Sequence, residues 1–251
     1  MRSVPRILSI RRQLRSRLLA DPPDLFMGID APDFNLGLEQ DLRSAGIPTV
    51  QYVGPSIWAW RGERIDKIKS AVDKVLALFP FEPPIYEKAG IPVAFVGHPL
   101  ADEIPEQPDR DAARDQFRLP VNAPVFALLP GSRQGELAQH AGVFIETAKL
   151  IHQQLPDASF LVPLTSRQTR MQFEVALYEH AAQELPLTVL FGHAQMAMIA
   201  ADVVLVASGT ATLEASLLRR PMVITYRVPK LTYRLMWPKR YLPWVGLPNV
   251  L

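Results

Sequence analysis

The sequence predicts an α/β protein built from two Rossmann-like halves. Short apolar runs alternate with helix-like segments from Pro23 to Tyr226, the pattern of parallel sheets flanked by helices. The runs stop on small or turn-forming residues, as in GIDAP, LLPGS and VASGT. A polar, Pro-bearing stretch, Asp102–Phe117, splits the alternation into two series, so the expected domains are residues 1–101 and 102–251.

In the first series, RILSIRRQLRSRLLAD places Ile7, Ile10, Leu14 and Leu18 on one helical stripe with Arg between them, an amphipathic helix. PDLFMGID is expected as a short buried strand, and FNLGLEQDLRSAG as a helix stopped by Gly46. IPTVQYV is a strand, RIDKIKSAVDK a helix, VLALFPFE a strand ending in a Pro turn, and Pro84–Ala89 a short helix before IPVAFVGHPL. Asp102–Phe117 reads as a linker leading into a helix. In the second series, APVFALLPGSRQGE is strand then loop, FIETAKLIHQQLP a helix, ASFLVPL a strand, and RQTRMQFEVALYEHAAQELP a long helix. LTVLFG, DVVLVASGT and PMVITY are strands separated by the helices AQMAMIAA and ATLEASLLRR. A doubly wound domain normally starts with a strand and closes with a helix. Here a basic helix opens the chain and GLPNVL ends it, which suggests a first half incomplete at its N-terminus and a second incomplete at its C-terminus.

At 251 residues and 48% hydrophobic composition the chain can bury a sizeable core. No apolar run reaches the ~18 residues of a bilayer span. There is no cysteine, which excludes disulfides and thiolate metal sites and fits a reducing compartment. The net charge of +2 hides an asymmetry. Residues 1–20 carry six Arg and no acid, residues 215–251 carry seven Lys or Arg and no acid, and all 25 acids lie between. Basic ends on an acidic body suit an anionic partner or, equally, a solvated helix face. The tail YRVPKLTYRLMWPKRYLPWVGLPNVL mixes aromatic, apolar and basic residues, the composition of a lipid–water interface or of a Pro-broken connector. An acidic body without a known nucleic-acid module argues against nucleic-acid binding.

Three junctions could carry chemistry. In LVASGTATLE a buried strand stops on Ser208, Gly209 and Thr210 and a helix starts at once. Small residues there let an anion approach the unpaired N–H groups at the helix start. Glu214, one turn on, could accept from sugar hydroxyls; alternatively Ser208 or Thr210 only caps the helix. LLPGSRQGE is a second junction of the same half: Gly131 permits a tight turn, and Arg133 offers a planar cation for a phosphate or sits in a surface turn. In GIDAPDFN, Asp30 follows a strand of the first half and could take a proton from a hydroxyl or cap the next helix. GPSIWAWR sets two Trp and an Arg on a loop, gripping a sugar or lying at a membrane interface if exposed, and forming core if buried. His98 in FVGHPLAD lies at a strand end and is structural or cleft-lining. No spacing of His, Asp and Glu reads as a metal site, and no dinucleotide fingerprint, P-loop or nucleophile elbow occurs, so no metal or cofactor is expected.

GIDAPDFN, YVGPSIWAWR, LFPFE, FVGHPLAD, LLPGSRQGE, ASGTATLEA, PMVITYR and LPNVL, in this order through nearly the whole chain, resemble the lipid-A-disaccharide synthase family. The resemblance implies a GT-B glycosyltransferase that moves 2,3-diacylglucosamine from UDP-2,3-diacylglucosamine to 2,3-diacylglucosamine 1-phosphate (lipid X), with inversion and without a bound metal. It implies UDP at Ser208–Thr210 and Glu214, its phosphate at Arg133, and Asp30 as the base. Asn249 matches the functional Asn of the family's LPN motif, and His98 the His of its own motif. It also implies a cytoplasmic protein peripheral on the inner face of the inner membrane, held by the basic, aromatic ends, and leaves room for a homodimer in the full-length form. The family's opening strand, its small-residue GE-[AT]-SGD loop and its helices after LPN are not present in this sequence. Another UDP-sugar enzyme such as a 2-epimerase, or an inactive nucleotide-sugar or lipid-surface binding fragment, are the alternative readings.

Overall fold

The computed structural model describes residues 4–59, 61–236 and 241–251. The chain divides into two compact units, Met1–Pro99 with Lys239–Leu242, and Leu100–Pro238 with Pro243–Leu251.

The first unit runs α1 (Val4–Ala20), β1 (Phe26–Ile29), α2 (Pro32–Ser44), β2 (Thr49–Tyr52), α3 (Ile65–Ala71), β3 (Lys74–Ala77), α4 (Pro83–Lys88) and β4 (Val93–Phe95). Its strands pair in parallel in the order β1-β2-β3-β4. Helix α2 begins with Pro32 in its first turn, where no N–H is needed, and Asp33 complements the helix dipole. Its apolar face packs in two directions. Leu36 joins Ile68, Val75 and Tyr86, while Leu38 and Leu42 meet Leu14 and Leu18 of α1. The predicted stripe of α1 is therefore divided, with Leu14 and Leu18 packed and Ile7 and Ile10 each 47% exposed. Strand β1 corrects an expectation. The sequence predicts it buried, yet Met27 and Ile29 are exposed and only Gly28 is buried, because β1 is an edge strand.

The second unit runs α5 (Leu100–Glu103), α6 (Arg110–Gln116), β5 (Val125–Leu129), α7 (Gln134–Gln154), β6 (Ser159–Leu164), α8 (Arg167–Glu179), β7 (Leu187–Phe191), α9 (Ala194–Ala200), β8 (Val203–Ala207), α10 (Thr210–Leu217), β9 (Met222–Thr225) and α11 (Lys230–Met236). The sheet is parallel in the order β7-β6-β5-β8-β9. Side chains alternate across it: Val125, Ala127 and Leu129 face a core with α6, α9 and α10, and Leu128 faces one with α7 and α8. Both faces are covered, which explains the unbroken apolar runs. Buried Arg114 ties α6 to the sheet, donating to the carbonyls of Ala200, Val121 and Ala123 and pairing with Asp202 at 2.8 Å.

The helices differ from the sequence reading chiefly in α7, α8 and the tail. Helix α7 starts ten residues before Phe144, and α8 stops at Glu179, where Ala181 turns left-handed at φ 48. The tail holds the helix α11, where only a connector or interface was expected. Of the residues singled out in the sequence, Arg2, Trp60, Trp237, Lys239 and Arg240 lie outside the described residues. No helix among the described residues is long and apolar enough to cross a membrane.

Candidate functional site

In the second unit strand order reverses between β5 and β8: the chain winds one way to β6 and β7 and the other way to β8 and β9. A crevice is expected outside the carboxyl ends of the strands at such a switch point. The loops leaving these two strands are the LLPGSR and ASGT junctions. They meet in a cavity of about 330 Å3 lined by Gly131, Ser132, Arg133, Glu136, Thr165, Ser208, Gly209, Thr210 and Glu214.

Each wall has a local cause. Gly131 sits at φ 118, a conformation L-residues rarely adopt, and a Cβ there would stand 2.8 Å from Glu136 Cβ. Only glycine lets the chain turn this closely over the start of α7. Thr165 Oγ1 donates to Ser132 O at 3.1 Å, joining the loop after β6 to the loop after β5. His140, buried on α7, accepts from the Arg227 N–H at Nε2 (3.0 Å) and contacts Glu136 O through Nδ1 (2.8 Å). That pattern assigns the proton to Nδ1.

At Ser208–Thr210 the capping alternative does not hold. Gly209 is the N-cap, no side chain caps α10, and Ser208 Oγ donates instead to Val245 O. Gly209 and Thr210 are exposed, and nothing lies within 4 Å of where a Gly209 Cβ would be. The main chain is open to a ligand where the helix start carries partial positive charge. The Ser208 bond also ties the turn to the LPN segment, a 3-10 turn at Leu247–Asn249 that follows buried Gly246. Asn249 is exposed and donates its N–H to Gly246 O at 3.1 Å; it stands beside α10 but does not line the cavity.

Arg133 is 82% exposed and pairs with Glu136 at 2.7 Å. Burial would raise the Glu136 pKa, but hydrogen bonds from the Arg133 side chain and main chain outweigh it and hold the carboxyl below its usual range. So exposed a pair is worth about 0–1 kcal/mol, and a phosphate can take the guanidinium from it. Half-buried Glu214 has its pKa pushed up by burial. A larger groove of about 920 Å3 lies between α7 and α8; none of the sequence-predicted site residues line it.

Asp30 lies in the first unit, where a second cavity of about 220 Å3 is lined by Asp30, Asp33, Val53, Gly54, Ser56, Arg61 and Arg64. Asp30 does not cap α2: the N-cap is Ala31, without a side-chain bond. Asp30 is exposed at φ 50, and Arg64 pairs with Asp33. His98 is half-buried with its ring 5.8 Å from Phe79, and does not line this cavity. Trp58 is neither a free grip nor plain core. Its Nε1–H donates to Glu82 at 3.3 Å, and buried Glu82 accepts from the N–H groups of Leu78 and Phe79. Tyr86 O–H donates to Pro55 O at 3.0 Å. Sequence reasoning missed Glu82, although a Glu after the Pro turn of LFPFE is placed to cap its own loop. It also missed Glu39 and Gln51, polar residues in the buried stripes of α2 and β2.

The family model described as lipid-A-disaccharide synthetase matches residues 1–251. The chain belongs to the lipid-A-disaccharide synthetase family. It is 60% identical over 251 residues to a lipid-A-disaccharide synthase of Chromobacterium violaceum, matching all of this chain and 65% of that protein. It is 61% identical over 246 residues to one of Dechloromonas aromatica, matching 98% of this chain and 64% of that protein. The chain thus spans just under two thirds of the length of these curated relatives. Among solved structures it is similar to an S. aureus MnaA–UDP co-structure, with a TM-score of 0.63 at 11% identity over 97% of this chain and 68% of that one. It is also similar to UDP-GlcNAc 2-epimerase from Neisseria meningitidis bound to UDP-GlcNAc, with a TM-score of 0.62 at 13% identity over 97% and 70%. At such identities the likeness shows the fold, an α/β chain of two parallel sheets of the GT-B type.

Proposed function

We propose that the chain carries the sugar-transfer machinery of a lipid-A-disaccharide synthase, an inverting glycosyltransferase. The donor is UDP-2,3-diacylglucosamine and the acceptor is 2,3-diacylglucosamine 1-phosphate. The products are the β-1,6-linked disaccharide 1-phosphate and UDP. The observation that carries the reading is the switch-point cavity, where an open helix start, an exchangeable Arg133 and Glu214 converge. Family membership across the whole chain supports it.

In this reading Asp30 takes the proton of the acceptor's 6-hydroxyl as its oxygen attacks the anomeric carbon. The bond from that carbon to the diphosphate breaks, and the electron pair leaves with UDP. Arg133 and the N–H groups at the start of α10 stabilise the charge that develops there. Arg61 and Arg64 line the Asp30 cavity and give an anionic acceptor its counter-charge. Asn249 and His98 are kept as catalytic candidates through the motifs they match. The inner face of the inner membrane is the partner surface for α1, whose Arg6, Arg11, Arg12, Arg15 and Arg17 stand among exposed Val4, Ile7 and Ile10. Incubation with both substrates and mass spectrometry of the products tests the proposal. Disaccharide 1-phosphate and UDP are expected in equal amounts, and Asp30→Ala is expected to abolish transfer while sparing UDP binding. Transfer by that variant at the wild-type rate removes Asp30 as the base.

A further inference from the structure

The Asp30 cavity is bordered by backbone in an unfavourable conformation. Asp30 and Ala31 are consecutive left-handed residues at φ 50 and φ 41, and Val53, β-branched, lies at φ 71. Such a residue is strained and persists only where its surroundings hold it. Two buried amides do so here. Asn35 Nδ2 donates to Asp30 O at 2.8 Å and Ile29 O at 3.3 Å. Gln51 Nε2 donates to Asp30 O (3.1 Å), Tyr52 O (3.1 Å) and Val53 O (3.2 Å), holding the turns after β1 and β2 together.

The orientation of the Gln51 amide is therefore decided. Three carbonyl oxygens surround one end, so that end must be the NH2 and Oε1 must point away. Among the described residues, Gln51 Oε1 is buried with no hydrogen-bond partner, and so are both oxygens of Glu39, the Gly28 N–H lying near the carboxyl but outside hydrogen-bond geometry. Both groups flank Gly28. The point a Cβ would occupy there is 2.1 Å from Glu39 Oε1 and 3.1 Å from Gln51 Oε1, so the missing side chain makes room for the carboxyl. Neighbouring acceptors in a dry site need a proton, and only Glu39 can carry it.

We propose that Glu39 is a positioning residue for Asp30: as a carboxylic acid behind Gly28 it donates to Gln51 Oε1, fixing the amide that holds the Asp30–Ala31 and Val53 turns. The inference rests on the reading of Asp30 as the base. It agrees with the electrostatics, since burial drives the Glu39 pKa to about 7 against a smaller opposing effect of the Gly28 N–H. Glutamine at position 39 can also donate to Gln51, whereas leucine cannot.

The test compares wild type, Glu39→Gln and Glu39→Leu of the same 251-residue chain. Steady-state transfer is measured alongside hydrogen exchange of residues 29–35 and 52–57. Glu39→Leu should lower kcat by about 10- to 100-fold, the scale of an ångström-sized misplacement. Its KM for the UDP-sugar should stay within about twofold, because the interactions lost do not serve donor binding. Exchange in both segments should accelerate about tenfold, as expected when a local opening becomes easier. Glu39→Gln should restore both properties. If Glu39→Leu does not fold, Gln51→Met takes its place with the same expected losses. An unchanged kcat, a loss confined to donor KM, or a Glu39→Gln variant as impaired as Glu39→Leu overturns the inference. A wild-type chain that makes no disaccharide overturns the functional reading instead, and the exchange comparison then decides the role of Glu39.

Discussion

Replacing Glu39 by Gln should change how stability depends on pH, with a sign and size set by one buried carboxyl. In the folded chain burial raises the Glu39 pKa from 4.5 to about 7. Between those values the folded state holds a proton that the unfolded state has released. Raising the pH through that window therefore favours unfolding. Stability from this group is complete below about pH 4.5, declines up to about pH 7, and is flat above. A shift of that size at 1.36 kcal/mol per unit corresponds to about 3 kcal/mol. Glutamine cannot ionise, so every other titration is shared and the difference between the two proteins isolates position 39. Urea unfolding, followed by hydrogen exchange on peptides from residues 26–53, should give similar stabilities at pH 4.5. By pH 8 the first unit of the Gln variant should be about 3 kcal/mol the more stable. Parallel pH dependences would mean that Glu39 is charged or solvated in the fold and would refute the reasoning.

Other changes should separate scaffold from site. Gly131→Ala puts a methyl group 2.8 Å from Glu136 Cβ at φ 118, and should cost about 2–4 kcal/mol in thermal unfolding of the second unit. Arg114→Met leaves the carbonyls of Ala200, Val121 and Ala123 without their buried donor, while Asp202 keeps Arg110 and the Val125 N–H, with an expected loss of about 1–3 kcal/mol in urea. Arg133→Ala breaks only an exposed pair and should move stability by no more than about 0.5 kcal/mol.

The second unit was legible because its signals are strong and local. LLPGSR and ASGT each end an apolar run on residues that nothing but a turn would favour, and those turns border the switch-point cavity. What the sequence hid depends on tertiary packing. The burial of Met27 and Ile29 could not be judged because alternation does not tell an edge strand from a central one. The start of α7 is hidden in the sequence because Gly135 has low helix propensity, which the packing of Leu137 and Ala141 overrides. Glu39 and Gln51 look like ordinary polar residues of a helix and a strand; their meaning lies in Gly28 on a third element, whose missing side chain leaves room for both of their oxygens.

In the proposed function a nucleotide diphosphate docks where β5 and β8 diverge. The most direct measurement is calorimetric titration of UDP into the wild-type chain, Arg133→Ala and Asp30→Ala. Saturable 1:1 binding is expected for wild type and for Asp30→Ala, with a loss of about tenfold or more in Arg133→Ala, the worth of one charge-assisted contact. No binding by the wild-type chain, or equal affinity in Arg133→Ala, would contradict it.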